Sequence, residues 1–345
     1  MGIPFDVTFH PSWFYKYAGI RFTRDFFEDA QARVDADVKM RQALYEYFGS
    51  FGIGEKDPAP RPVLGTDLLA AGYLHSAILG CEILFSENNS PVVVCKNMTE
   101  EQIRNLNVPV LEENAIWQNI EQQIDYLQKE FGYVLPCINL MGVQNIAIDL
   151  RGSNLFYDYA DDPELAHHLF DVCTRLSLKI GKRFRCLGEK LSGGVTAIVK
   201  QTRPNVYLTS NCTVELVSQE IYEEFLLPYD ILLAQEFSDF GVHHCGQSME
   251  HVAAAYGQIP NLSFAEVGAG SDLAAVRKML PKVFLNARYS PSRLKDVSEK
   301  ELQAELSLLA EDGQPDSLLS ISCVGIDGDT SNDQIRAFLK ACSEL

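Results

Sequence analysis

The feature that most constrains the fold is a regular alternation of short apolar runs with longer amphipathic stretches. The runs have the length and the content of β-branched and aromatic residues that are typical of buried strands. They are residues 63–68, 91–95, 133–140, 206–211, 240–245, 262–267, 282–287 and 318–324. Strands that alternate with helices form a parallel sheet covered by those helices, so the pattern predicts an α/β fold. Eight such units within 345 residues fit a (β/α)8 TIM barrel.

The chain shows no sign of a division into separate domains. No linker rich in Gly, Pro or Ser interrupts the alternation, and no internal repeat is evident. We therefore expect one domain over residues 1–345. Within it, residues 1–60 are predicted to form an N-terminal helical extension and residues 61–345 to form the barrel.

The charge balance limits the partners that the protein can bind. The chain has 29 Lys and Arg against 47 Asp and Glu, a formal net charge of −18 at pH 7. This charge repels phosphate backbones and anionic lipids, so we expect neither nucleic acid nor a membrane surface as a partner. The most apolar stretch, residues 68–85, contains His75 and Glu82 and does not resemble a membrane span. No secretory signal is visible, and we expect a cytoplasmic location.

Nine cysteines are scattered through the chain, and an odd number argues against a disulfide framework. Most of them lie in apolar runs, where a cysteine is usually a small buried hydrophobic residue. A functional role for any of these thiols therefore requires specific neighbours.

Polar residues at the ends of the apolar runs are candidate site residues, because barrel active sites lie at the carboxyl ends of the strands. They are Asp67, His243, Cys245, Glu266, Asn286, Arg288 and Cys323. His243 and Cys245 are two positions apart in a strand and therefore project from the same face. One imidazole and two thiolates suit zinc, and three protein ligands leave a fourth position open. On the residues alone, ligation by His243, Cys245 and Cys323 and simple burial of the cysteines both remain open.

Six segments spread over nearly the whole chain form a recognisable set. They are Pro11–Phe14 with Ala18-Gly19, Gly65–Leu69, Gly142–Gly152, Asp161–Glu164, Phe225–Tyr229 and Cys323–Ile326. In these segments the chain resembles the uroporphyrinogen decarboxylase superfamily. Within that superfamily, His243-x-Cys245-Gly246 with a distant Cys323 is similar to the methylcobalamin:coenzyme M methyltransferase branch. The resemblance implies a (β/α)8 barrel in which His243, Cys245 and Cys323 bind Zn²⁺. The metal would activate a thiol that takes a methyl group from a corrinoid protein.

The chain also departs from true decarboxylases. In the aligned stretch Lys16-Tyr17-Ala18-Gly19-Ile20, the two arginines that help to hold a carboxylated porphyrinogen are missing. Asp67 matches the decarboxylase aspartate that faces the pyrrole nitrogens, but the family's tyrosine near residue 142 is not found. The closing His-Gly-Ile of decarboxylases is replaced by Cys323–Ile326. Decarboxylation of uroporphyrinogen is therefore the alternative to methyl transfer.

Asp67 and Glu266 are the predicted catalytic residues, and Asn286 and Arg288 the predicted substrate-binding residues. In zinc thiol methyltransferases a carboxylate can occupy the fourth metal position until the thiol displaces it. Glu266 either has this role or forms a hydrogen bond at the rim of the site. Arg288 suits a sulfonate, phosphate or carboxylate on the substrate, and a surface arginine is the alternative.

Three functions remain open on the sequence. The first is a zinc-dependent methyltransferase that acts between a corrinoid, methylcobalamin, and a small thiol. The chain has no Asp-x-His-x-x-Gly motif for cobalamin, so the corrinoid is expected on a partner protein or free in solution. The second function is a metal-free decarboxylase, and the third is a non-catalytic relative that binds a corrinoid or a metal. A homodimer is also left open.

Overall fold

Parallel strand pairing organises the computed structural model, which describes residues 2–188, 191 and 197–345. The strands are β1 (Phe5–Phe9), β2 (Val63–Gly65), β3 (Glu82–Ser86), β4 (Asn89–Val94), β5 (Leu135–Cys137), β6 (Leu140–Met141), β7 (Tyr207–Ser210), β8 (Phe240–His244), β9 (Leu262–Val267), β10 (Phe284–Tyr289) and β11 (Leu319–Ile326).

The helices pack around these strands and fill most of the connections between them. They are α1 (Pro11–Ala18), α2 (Arg24–Glu28), α3 (Ala30–Phe48), α4 (Leu74–Ile78), α5 (Glu100–Arg104), α6 (Ala115–Phe131), α7 (Val143–Arg151), α8 (Asn154–Asp161), α9 (Pro163–Arg185), α10 (Ala197–Thr202), α11 (Gln219–Ile221), α12 (Leu227–Glu236), α13 (Glu250–Tyr256), α14 (Leu273–Met279), α15 (Pro291–Asp296), α16 (Glu299–Asp312) and α17 (Asn332–Ser343). Within the described residues, none of these helices has the length and apolar content needed to cross a bilayer.

The strands form the wall of a parallel barrel. One sheet runs in the order β1-β11-β10-β9-β8-β7-β6, and a second contains β2 and β5. Since β5 and β6 are one strand interrupted at residues 138–139, the wall has eight positions, and the predicted TIM-barrel fold is confirmed. Among the described residues, no ladder joins β1 to β2, so the wall is open between these two strands.

Seven of the eight predicted runs are barrel strands, and the eighth is not. Run 91–95 lies in β4, which pairs antiparallel with β3 in a hairpin outside the barrel. The missing barrel position is taken by β1, which pairs in parallel with β11. The barrel therefore begins at residue 5 and not at residue 61. The helical part of the N-terminal region consists of α1 to α3.

The amino-terminal end of the barrel is closed by apolar side chains. Ile198 and Val199 of α10 form a buried cluster with Leu208, Phe264 and Phe284, which lie at or near the starts of their strands. These apolar side chains have no groups for catalysis. Barrel active sites lie at the opposite, carboxyl end of the strands.

Substitution of Phe9 tests whether β1 is an integral part of the barrel. Its ring is 2% exposed and lies 4.4 Å from the ring of Trp13 and 5.5 Å from that of Phe48. We expect Phe9→Ala to lower the free energy of unfolding by about 3–5 kcal/mol, because it leaves a cavity among packed rings. Urea denaturation measures this change.

The matched control is Leu84→Ala, since Leu84 is 51% exposed on the outer hairpin. Its expected effect is within about 0.5 kcal/mol. An equally small effect of Phe9→Ala would contradict the placement of β1 in the barrel wall.

Candidate metal centre

Three side chains that can ligate a metal meet where β7 and β8 end. Cys212 begins a short 3-10 turn two residues after β7, and His243 and Cys245 lie at the end of β8. The ligand atoms of Cys212, His243 and Cys245 all lie within 4.8 Å of one another. Ser210 of β7 is the register partner of His243. Cys212 and Cys245 therefore follow a paired position by the same two residues, which brings both thiols to one point.

Glu266 orients the imidazole of His243. It is the register partner of His243 on β9 and is fully buried. The Oε2 atom of Glu266 forms a hydrogen bond with Nδ1 of His243, which leaves Nε2 as the ring atom for a metal. Carboxylate–imidazole pairs of this kind fix the ring and its tautomer next to bound metals. Glu266 is therefore buried against His243 and is not one of the three clustered ligand groups.

The charges around the cluster favour a thiolate at Cys245. A hydrogen bond from Cys212 and the nearby His243 hold the pKa of the Cys245 thiol well below its usual value, although burial opposes this. The same hydrogen bond, together with burial, raises the pKa of Cys212. Burial lowers the pKa of His243, but Glu266 and Cys245 outweigh it and raise that pKa to about 9. Nη1 of Arg288 lies 3.5 Å from Nε2 of His243 and adds positive charge.

The structure places Cys323 outside this cluster. Cys323 is the register partner of Tyr289 on β10, and register partners in parallel strands point to the same face of a sheet. The ring of Tyr289 packs against Phe338 of α17, on the outer surface of the barrel. Cys323 is therefore buried between the sheet and α17. Cys212, and not Cys323, is the third residue that the structure groups with His243 and Cys245.

Cys212 was missed because no motif links it to the His243-x-Cys245 pair. It does follow the apolar run 206–211 directly, which is the signal that singled out the other site residues. To place Cys212 next to Cys245, this signal must be combined with the knowledge that β7 and β8 are neighbours and end at the same level. The register of β7 with β8 supplies this information.

Asp67 belongs to a separate charged cluster beside the open part of the wall. Its two oxygens lie 2.6 and 3.1 Å from the guanidinium of Arg61, and one of them lies 2.6 Å from Nζ of Lys200. Arg61 also binds Asp37 of α3 at 2.7 Å, and Lys200 lies 3.1 Å from Sγ of Cys137. Both carboxylate oxygens of Asp67 are thus bound to cations. This arrangement gives no support to a role in facing pyrrole nitrogens.

Asn286 and Arg288 lie on β10 beside the metal-ligating cluster. Asn286 is the register partner of Glu266, and its Oδ1 accepts a hydrogen bond from Ser320 at 3.2 Å. Nδ2 of Asn286 and Oγ of Ser322 are buried and have no hydrogen-bond partner among the described residues. Ser322 is in turn the register partner of Arg288. Arg288, Asn286 and Ser322 thus provide donors next to the cluster.

Comparisons with known proteins agree with this fold. The sequence profile described as uroporphyrinogen decarboxylase (URO-D) matches residues 73–345. A methyltransferase from Methanosarcina mazei superposes with a TM-score of 0.66, covering 99% of this chain and 94% of that one at 16% identity. A B12-independent methionine synthase from Shewanella sp. W3-18-1, in complex with selenomethionine, has a TM-score of 0.49 and 10% identity, covering 99% and 95%. At 16% identity, the similarity to the Methanosarcina mazei protein shows a shared fold. No curated protein sequence matches the chain.

The Asp67 cluster makes the stability of the protein depend on pH. Burial raises the pKa of Asp67, but Lys200 and Arg61 outweigh it and lower that pKa from 3.8 to about 2. A shift of about two pKa units corresponds to about 2–3 kcal/mol. Because the folded-state pKa is the lower one, this stability is present above about pH 4 and is lost as the pH falls through about 2. We expect Asp67→Asn to lower the free energy of unfolding by about 2–3 kcal/mol at pH 7 and by much less near pH 2.

Urea denaturation at the two pH values measures the difference. The control is Asp171→Asn, which removes an exposed ion pair with Arg175 and should cost less than about 1 kcal/mol at either pH. Equal losses for Asp67→Asn at both pH values would show that its charge does not stabilise the fold.

Proposed function

The chain belongs to the uroporphyrinogen decarboxylase (URO-D) family, and on that premise we propose that it is a zinc-dependent methyltransferase that moves a methyl group from a corrinoid to a small thiol. The observation that carries the proposal is the convergence of Cys212, His243 and Cys245 within 4.8 Å. Two thiolates and one imidazole suit zinc, and a three-ligand site keeps one position for substrate. The corrinoid is expected to be supplied by a partner protein.

The donor set fits zinc in distance, and one of its two thiols is already acidic. Zinc–sulfur bonds of about 2.3 Å in a tetrahedral site place ligand atoms roughly 3.8 Å apart, which is within the observed limit of 4.8 Å. His243 offers Nε2 because Glu266 occupies Nδ1. The pKa of Cys245 is already lowered by its neighbours, as a thiolate ligand requires. When bound, zinc lowers the pKa of an incoming thiol and holds it as a thiolate near neutral pH.

The chain's own residues set the reactivity of that sulfur. Two negative thiolates, Cys212 and Cys245, and a neutral His243 offset the charge of a divalent metal, so the substrate sulfur stays electron-rich. In the transfer, the substrate sulfur forms a bond to the methyl carbon while the carbon–cobalt bond breaks, and the electron pair of that bond stays on cobalt. Glu266 keeps the imidazole in one orientation throughout.

Arg288 and Asn286 are proposed to bind the other end of the thiol substrate. Among the described residues, Arg288 forms no ion pair, and its guanidinium lies within 3.5 Å of His243. A sulfonate, phosphate or carboxylate a few atoms from the sulfur would satisfy this guanidinium. The unpartnered Nδ2 of Asn286 is a second donor on the same strand.

Decarboxylation is the second candidate, and membership of the URO-D family is the observation that favours it. It needs cationic side chains for the substrate carboxylates and a carboxylate that faces the pyrrole nitrogens. The resemblance assigns the second role to Asp67, whose oxygens are already bound by Arg61 and Lys200. The clustered thiols have a role in methyl transfer, but they have none in decarboxylation.

Metal content tests which cysteine is the third ligand. We expect near-stoichiometric zinc in the wild-type protein and loss of most of it in Cys212→Ser and Cys245→Ser, because a hydroxyl is a far poorer zinc ligand than a thiolate. Cys323→Ser should keep its zinc, since Cys323 lies outside the cluster. Elemental analysis of purified protein measures all four samples.

Cys95→Ser is the control for loss of a cysteine far from the site, and its zinc content should equal that of the wild type. Loss of zinc in Cys323→Ser with retention in Cys212→Ser would reverse the assignment. Equal zinc in every variant would exclude the cluster as the metal centre.

Free methylcobalamin tests the reaction itself. With a thiol such as mercaptoethanesulfonate, the protein should demethylate methylcobalamin slowly, which the change in the visible cobalamin spectrum reports. A chelator should abolish the reaction and added zinc should restore it, because the thiol must be bound as a thiolate. Cys245→Ser should be inactive.

A neutral thiol of similar size, such as mercaptoethanol, is the control for Arg288 and should react more slowly at low concentration. Uroporphyrinogen should not be consumed. Chelator-resistant decarboxylation of uroporphyrinogen, without demethylation of the corrinoid, would favour the second candidate instead.

A further inference from the structure

The side-chain amide of Asn145, near the start of α7, spans the segment that carries Cys212. Its Nδ2 donates a hydrogen bond to the carbonyl oxygen of Ser210 at 2.8 Å. Its Oδ1 accepts hydrogen bonds from the backbone N–H of Thr213 at 3.0 Å and from the hydroxyl of Thr213 at 2.6 Å. Ser210 and Thr213 lie on either side of Cys212, so one amide fixes both ends of this short segment.

Both functions of the Asn145 amide are used in these contacts. An amide can both donate to a carbonyl through Nδ2 and accept from Thr213 through Oδ1. A carboxylate of the same shape can only accept.

A close approach of α7 to this segment holds the amide in place. The backbone N–H of Gly142 donates to the carbonyl oxygen of Ser210 at 3.0 Å. A Cβ on Gly142 would lie 2.4 Å from Oδ1 of Asn211 and 2.5 Å from that carbonyl oxygen, so a side chain does not fit there. Asn145 itself is 7% exposed. A helix, and not a mobile loop, therefore presents the amide to Cys212.

We propose that Asn145 is a positioning residue of the metal centre, which holds Cys212 at its coordinating position by fixing the backbone on either side of it. This inference rests on the proposed function in one respect, the assignment of Cys212 as a metal ligand. Groups that hydrogen-bond to metal ligands typically change metal affinity by about 10–100-fold when they are replaced. Asn145 fixes the backbone on both sides of Cys212, as Glu266 fixes the ring of His243.

Cobalt substitution of Asn145→Asp tests the proposal. The variant keeps an oxygen for Thr213 and replaces the Nδ2 donor by an oxygen that repels the carbonyl of Ser210. Co²⁺ is the probe, because its near-ultraviolet charge-transfer absorption depends on the number of thiolates that bind it. We expect the affinity for Co²⁺ to fall about tenfold or more. The charge-transfer absorption should fall towards that of Cys212→Ser.

Gln144→Met is the matched control. Gln144 is the preceding residue of α7 and donates to the carbonyl oxygen of Thr213 at 2.7 Å, but it does not bracket Cys212. Its Co²⁺ spectrum and affinity should equal those of the wild type. A loss in Gln144→Met as large as that in Asn145→Asp would show that any disturbance of this loop has the same effect, and would overturn the proposal.

Thr213→Val provides a second test if Asn145→Asp fails to fold. It removes the hydroxyl that donates to Oδ1 of Asn145 at 2.6 Å and preserves the shape of the side chain. We expect a smaller loss of the same charge-transfer absorption. If the wild-type protein binds neither Zn²⁺ nor Co²⁺, the proposed function fails along with this inference. If the wild type binds both metals and Asn145→Asp and Thr213→Val match it, this inference alone is wrong.

Discussion

The register of the parallel strands decides which side chains meet in this protein. Ladder partners lie side by side and point to the same face, so a continuous row of register partners forms a layer around the barrel. That layer runs through Ser210, His243, Glu266, Asn286 and Ser320. It is polar throughout and lies above the apolar cluster at the barrel's amino-terminal end. Cys212 and Cys245 lie two residues beyond Ser210 and His243, respectively. Glu266 orients the imidazole of His243.

Most of the fold and two of the three candidate metal ligands follow from patterns that are visible in the sequence. Runs such as 240–245 and 262–267 are apolar, bounded and regularly spaced, so strand and helix assignments need no further information. His243 and Cys245 are two residues apart on one strand, and this spacing alone places them on one face. The partnership of Glu266 with His243 needed the register of β8 with β9, which the order of the runs implies but does not fix.

The assignments of Cys323 and of β1 depend on which face of a strand each side chain occupies. Residues 319–323 alternate between apolar and hydroxyl side chains, with Ser320 and Ser322 on one face and Ile321 and Cys323 on the other. That alternation already groups Cys323 with the face that packs against α17, whereas the position of Cys323 near the end of the run suggested the active site. The same period in Phe5–Phe9 marks β1 as a strand with two different faces, but five residues before a helix carry little weight by length alone.

The gap between β1 and β2 makes one joint of the barrel wall chemically unlike the others. Elsewhere the neighbouring strands are held by backbone hydrogen bonds, which do not respond to pH. At this joint, a cavity of about 300 Å³ lies between β1 and the ion pairs of Asp67 with Arg61 and Lys200. Since β1 pairs with β11, and β11 pairs in turn with β10, β1 can move away from β2 at this joint without breaking a strand ladder. Such local opening would expose the inside of the barrel from the side, next to ion pairs that acid weakens by removing the charge of Asp67.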